Sequence, residues 1–94
     1  MKRKSKIEEI IKQNLKFEHY EIDDVSESHR GHSGFVEGQE THLNILIVSD
    51  DFKNLNRVAR QRVLNELLFE EFKNGLHAVS YSLFSKEEYK SGYF

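Results

Sequence analysis

Five histidines and no cysteine set the coordination chemistry open to this 94-residue chain. The histidines are His19, His29, His32, His42 and His77. Imidazole suits borderline metals such as zinc and iron, while the soft thiolate ligands that most closed metal centres use are absent. No His-Glu-x-x-His or Cys-x-x-Cys spacing occurs, so no local motif builds a zinc site by itself. Ser28 and His29 are neighbours in sequence, which is not the geometry of a nucleophile and its base. The carboxylate pairs Asp23-Asp24 and Asp50-Asp51 fall at strand ends and read as turn residues. No phosphate-cradling glycine loop is present. The expectation is a protein that is not an enzyme, whose chemistry depends on whether its fold gathers the imidazoles.

The elements that would gather them can be read from periodicity. Ile7, Ile10, Ile11 and Leu15 fall at helical spacing behind Ser5-Lys6-Ile7-Glu8, which reads as a capping box opening a first helix. Alternation from His19 to Val25, with Tyr20 and Ile22 on one side, predicts a first strand. Residues 26–41 are polar and hold Gly31, Gly34 and Gly38, which predicts a long loop of the kind that is usually functional or mobile. Leu43 to Val48 reads as a central strand apolar on both faces, ended by Ser49-Asp50-Asp51. Leu55, Ala59, Val63 and Leu67 form one row of a long helix running to Phe72, with Leu64, Leu68 and Phe72 beside it. Asn74-Gly75 supplies its C-terminal cap. His77 to Leu83 alternates as a third strand, and the Ser85 to Glu88 capping box opens a short last helix.

The order is therefore α-β-β-α-β-α in a single α+β domain, with a three-stranded mixed sheet and helices packed on one face. A helix between the second and third strands implies parallel pairing through a right-handed crossover. Both of those strands then start at the same end of the sheet, near His42 and His77. The loop bearing His29 and His32 runs into the first of them. Four of the five histidines should meet at one edge, leaving out His19. Each also has an ordinary reading: a strand histidine such as His42 is commonly structural, and loop histidines are commonly solvated.

Composition narrows the partners. Hydrophobic residues make up 37% and charged residues 32%, a globular balance, and the net charge of −2 argues against a strong nonspecific grip on nucleic acid. The longest apolar run, Ile45 to Val48, is too short to cross a bilayer, and no apolar stretch follows the basic Lys2, Arg3, Lys4 and Lys6, so neither membrane nor secretory signal is expected. The lack of cysteine suits a reducing compartment. The cytoplasm is expected, with a mitochondrial matrix as the alternative.

Ser28-His29-Arg30-Gly31-His32, Glu40-Thr41-His42-Leu43, Ile47-Val48-Ser49, Phe52, Arg60-x-Arg62-Val63 and Gly75-Leu76-His77-Ala78 together resemble the BolA family, over about residues 5–89. That resemblance implies a KH-like (class II) α/β fold with the same element order. It also implies a monothiol glutaredoxin carrying glutathione as partner, with a bridging [2Fe–2S] cluster or in a cluster-free complex. In the family a histidine at the start of the last strand is a ligand; here that is His77. A second ligand comes from the loop between the first two strands. Here the resemblance points to His32, with His29 in contention because the loop differs by about one residue from the commoner form. His42 matches a strand histidine read as structural. The free protein is expected to be a monomer.

A second function comes with the resemblance, since BolA proteins are also associated with transcriptional regulation. Lys53, Arg57 and Arg60 lie at i, i+4, i+7 spacing and, with Arg62, could touch phosphates or form part of a glutaredoxin-docking face. The family's Arg-His-Arg is Arg60-Gln61-Arg62 here. Gly31-His32-Ser33-Gly34 matches the GxxG of KH domains letter for letter. That loop clamps nucleic-acid backbone from between helices, whereas this one lies between strands, so its mechanism does not carry over.

Overall fold

The computed structural model describes residues 2–32, 34–36 and 38–92. Helix α1 (Arg3–Asn14) leads to strand β1 (Phe17–Asp24), a 3₁₀ turn (Ser26–His29), β2 (His42–Ser49), a second 3₁₀ turn (Asp50–Phe52), helices α2 (Arg57–Leu67) and α3 (Phe69–Lys73), β3 (Ala78–Phe84) and α4 (Lys86–Lys90). The sheet order is β1-β2-β3. β1 pairs antiparallel with β2, and β2 pairs parallel with β3, so the mixed sheet is as expected.

One face of the sheet is covered. Ile22, Leu43, Ile45, Ile47 and Leu83 point from the strands into a cluster with Ile7 and Ile11 of α1, Leu64 of α2, Leu68 and Phe52. Side chains as large as these each contribute about 1.5–3 kcal/mol on full burial, and Phe52, Ile7, Ile11, Ile47 and Leu64 are wholly inaccessible. On the opposite face Glu21, Asp23, Asn44, Ser80 and Ser82 are exposed. β2 is central in the sheet, and its outer face is buried in part: Val48 and His42 are 2% and 3% exposed, with Tyr89 of α4 against the neighbouring His19 and Phe84, while Leu46 is half-buried and Asn44 exposed.

Two sequence expectations fail for reasons of tertiary contact. The capping box at Ser5 does not form; α1 begins at Arg3 and Ser5 lies inside it. The free N–H of Lys4 is met at 2.7 Å by the Glu40 carboxylate, which comes from a distant loop and replaces a local cap. Glu8 instead accepts a hydrogen bond from the Tyr20 hydroxyl at 2.8 Å. The long helix expected over 55–72 starts at Arg57, after an N-cap in which the Asn56 side chain accepts from the Ala59 N–H, and is interrupted at Leu68. Leu68 is fully buried, and its flanking hydrogen bonds, Leu68 N–H to Leu64 and Phe72 N–H to Leu68, carry through the interruption. The Ser85–Glu88 box forms as read, with both reciprocal bonds.

Candidate functional site

Parallel pairing sets His42 opposite Ala78, so His77 stands one residue before β3. Its backbone N–H donates to the Thr41 carbonyl at 2.9 Å, which locks the two strand starts side by side. The 3₁₀ turn after β1 then folds His29 over His42, their rings stacked with centroids 4.1 Å apart and planes 12° apart. His32 meets His29 edge-on at 5.5 Å, and His77 lies 5.2 Å from His42 on the other side. Four imidazoles thus form a run, His32–His29–His42–His77, at the edge where the topology places them. His19 stays outside that run, its Nε2 2.8 Å from Glu21 Oε2 and its ring tilted against Tyr89.

The four differ in access. His42 is 3% exposed, His29 is half-buried, and His32 and His77 are exposed. His42 Nδ1 lies 2.8 Å from Thr41 Oγ1. Burial above all, and then the neighbouring His29, His77 and His32, hold its pKa below the ordinary imidazole value. His42 is therefore an inward ring whose surroundings favour the neutral form, and the others are arranged against it.

Two residues that sequence reading missed set this arrangement. Ser26 is buried at the head of the 3₁₀ turn, and its hydroxyl accepts from the backbone N–H groups of both Thr41 and His42, at 2.9 and 3.1 Å. That hydroxyl also donates to the Asp24 carboxylate. It ties the end of β1 to the start of β2 and so sets the turn that carries His29. Gly34 has a positive φ of +84°, and a Cβ placed there would run into Cγ, Nδ1 and Cδ2 of His77. The loop backbone lies directly against the His77 ring, and only a residue without a side chain allows it. Loop glycine content was the one available signal; nothing in sequence indicated which glycine touched which ring.

Among the described residues, no three His, Cys, Asp or Glu side chains are set together to hold a metal ion. A zinc-type cage requires nitrogens converging at about 2.0–2.1 Å on one ion, which stacked rings do not provide. The imidazoles of His77 and His32 are the accessible ones of the run.

The cationic residues are divided by the fold. Lys53, Arg57 and Arg62 are exposed. Arg60 is not on that face: its side chain is 10% exposed, and Nη1 donates to Glu88 Oε1 at 2.6 Å and to the Leu83 carbonyl at 2.9 Å. Its Nε donates to the Leu55 carbonyl at 2.9 Å. These inward bonds, two of them to residues distant in sequence, set Arg60 apart from the exposed Lys53, Arg57 and Arg62. The Ser28 hydroxyl donates to the Val25 carbonyl at 2.7 Å, closing the 3₁₀ turn. Among the described residues no helix is long and apolar enough to cross a membrane.

Comparison with known proteins agrees with this architecture. The family described as BolA-like protein matches residues 11–88. A Haemophilus influenzae protein named DNA-binding transcriptional regulator BolA is 38% identical over 87 residues, covering 90% of this chain and 82% of that protein. BOLA1 of Arabidopsis thaliana, a chloroplastic protein, is 42% identical over 81 residues, 83% of this chain and 50% of its own length, so this chain spans half of that relative. The solved structure of the BolA domain of SufE1 from Arabidopsis thaliana superposes with a TM-score of 0.82 at 36% identity, covering 92% of this chain and 94% of that one. By fold, by sequence and by the match over residues 11–88, the chain belongs to the BolA family.

Proposed function

We propose that this chain acts in iron–sulfur cluster assembly or trafficking as the non-enzymatic partner of a monothiol glutaredoxin. With that partner and glutathione it shares a [2Fe–2S] cluster, or it docks without one. The observation that carries the reading is the exposed His77 at the end of a run of four imidazoles, on a chain with no thiolate. His77 is the first ligand and His32 the second. The exposure of His32 favours it over His29, whose ring is half-buried and stacked on His42.

A bound cluster supplies a redox-active centre whose potential rises when imidazole replaces thiolate. The chain's own part is to present neutral nitrogens. Ligation requires the imidazoles to be deprotonated, so the complex should weaken at acid pH. Ser26 and Gly34 hold the turn and loop beside the strand starts that carry His42 and His77. The absence of cysteine suits a reducing compartment, and we place the protein in the cytoplasm.

The test is anaerobic mixing with a [2Fe–2S]-loaded monothiol glutaredoxin and glutathione, followed by visible circular dichroism. A changed spectrum at a one-to-one ratio, lost in His77→Ala and weakened in His32→Ala, is expected. A spectrum unchanged at saturation refutes cluster sharing and leaves cluster-free docking or the second reading. That second reading, duplex binding through Lys53, Arg57 and Arg62, is supported by the name of the Haemophilus influenzae relative. A gel shift with defined duplexes across a salt series tests it, since phosphate contacts make affinity fall steeply with salt.

A further inference from the structure

Arg3 lies outside the segment that matches the family, yet its guanidinium is nearly buried, with 12% of the side chain exposed. Nε pairs with Glu71 Oε1 of α3 at 3.1 Å, and that carboxylate side chain is 9% exposed. Nη1 donates to the Glu40 carbonyl. Nη2 donates to the Asn74 carbonyl at 2.7 Å. Glu40 immediately precedes Thr41-His42, and Asn74 precedes Gly75-Leu76-His77. A single fork therefore spans the two segments that deliver the histidine-bearing strand starts.

The surrounding residues fit that role. Gly75 has φ +114°, and a Cβ there would come within 3.3 Å of Arg3 Nη2, so the glycine leaves the guanidinium its space. The Glu40 side chain also accepts from the Lys4 N–H, tying the same loop residue to α1 a second time. A planar fork can reach a carboxylate and two carbonyls in three directions; a lysine ammonium at the end of a shorter stem cannot match it.

We propose that Arg3 is a positioning residue for the histidine edge. It straps the approaches to β2 and β3 together from α1, and thereby sets the placement of His77 relative to His42. The consequence for a cluster-bearing partner rests on the function proposed above, but the placement itself is a property of the free chain.

The experiment compares Arg3→Lys, Arg3→Ala and the control Lys2→Ala by heteronuclear NMR of the imidazole rings, above their titration range so that charge is constant. Arg3→Lys retains a cation for Glu71 and keeps the test readable if Arg3→Ala does not fold. Expected are displaced His42 and His77 ring signals and weakened contacts between those rings in Arg3→Lys, with the core methyls of Ile45, Ile47 and Leu83 unmoved. In the glutaredoxin titration, the amount of Arg3→Lys needed for half the dichroism change should rise several-fold. Imidazole signals identical to the parent's, whether or not the melting temperature falls, overturn the proposal. Displaced rings on a parent chain that gives no dichroism response uphold the positioning role and refute cluster sharing instead.

Discussion

Replacing Gly34 by alanine separates two physical costs that the loop combines. Gly31 and Gly34 share the same φ of +84°, but a Cβ at Gly31 meets nothing within 4 Å, whereas one at Gly34 meets the base of the His77 ring. Gly31→Ala therefore reads the left-handed backbone alone, at about 1 kcal/mol. Gly34→Ala adds the steric conflict. Because the clash includes Cγ, spinning the ring about its own bond does not relieve it; the side chain must leave its rotamer or the loop must lift. Overpacking of this kind costs about 1–3 kcal/mol. The totals are then about 1 kcal/mol for Gly31→Ala and about 2–4 kcal/mol for Gly34→Ala. For a domain this size they correspond to melting temperatures lower by roughly 4–8 °C and roughly 8–32 °C. Thermal unfolding of both variants and the parent measures that gap, and the His77 ring signals in NMR report where the imidazole goes. His77 should move in Gly34→Ala and stay in Gly31→Ala. Equal losses of stability with an unmoved His77 in both variants would refute the packing of this loop against the ring.

Ser26→Ala should lose about 2–4 kcal/mol in urea unfolding, because two buried backbone N–H groups at Thr41 and His42 would be left without an acceptor. Ser28→Ala, at an exposed position, should stay within about 1 kcal/mol of the parent, and equal losses for the two would argue against the Ser26 tie. The Arg60 guanidinium and the Ser85 backbone N–H hold the Glu88 carboxyl below its ordinary pKa. A folded pKa below the unfolded one contributes stability that is complete above the ordinary glutamate range and is lost as pH falls through the folded value. The acid limb of a stability-against-pH curve should therefore be shallower in Glu88→Gln, and a limb of unchanged slope would show that the pair does not couple to folding.

Much of the molecule is legible from local pattern. Alternation and helical spacing place the strands and helices because each records which side of the backbone meets the core, and that periodicity survives any detail of packing. The edge at which the histidines gather follows by topology: a helix between two strands makes them parallel, and parallel strands start together. The Ser85–Glu88 box is equally local, since all its partners lie within one turn.

What required the tertiary structure is every bond between groups distant in sequence. α1 starts at Arg3 because Glu40, 36 positions away, caps Lys4. Arg60 turns inward because Glu88 and Leu83 offer acceptors that no helical wheel displays. His29 lies on His42, and Gly34 against His77, because a turn and a loop fold back on strands they precede in the chain. Residue types and spacing by themselves determined which elements form and which histidines share an end of the sheet. Through-space contacts decided which of those rings are buried, which face solvent, and which apparently ordinary residues hold them there.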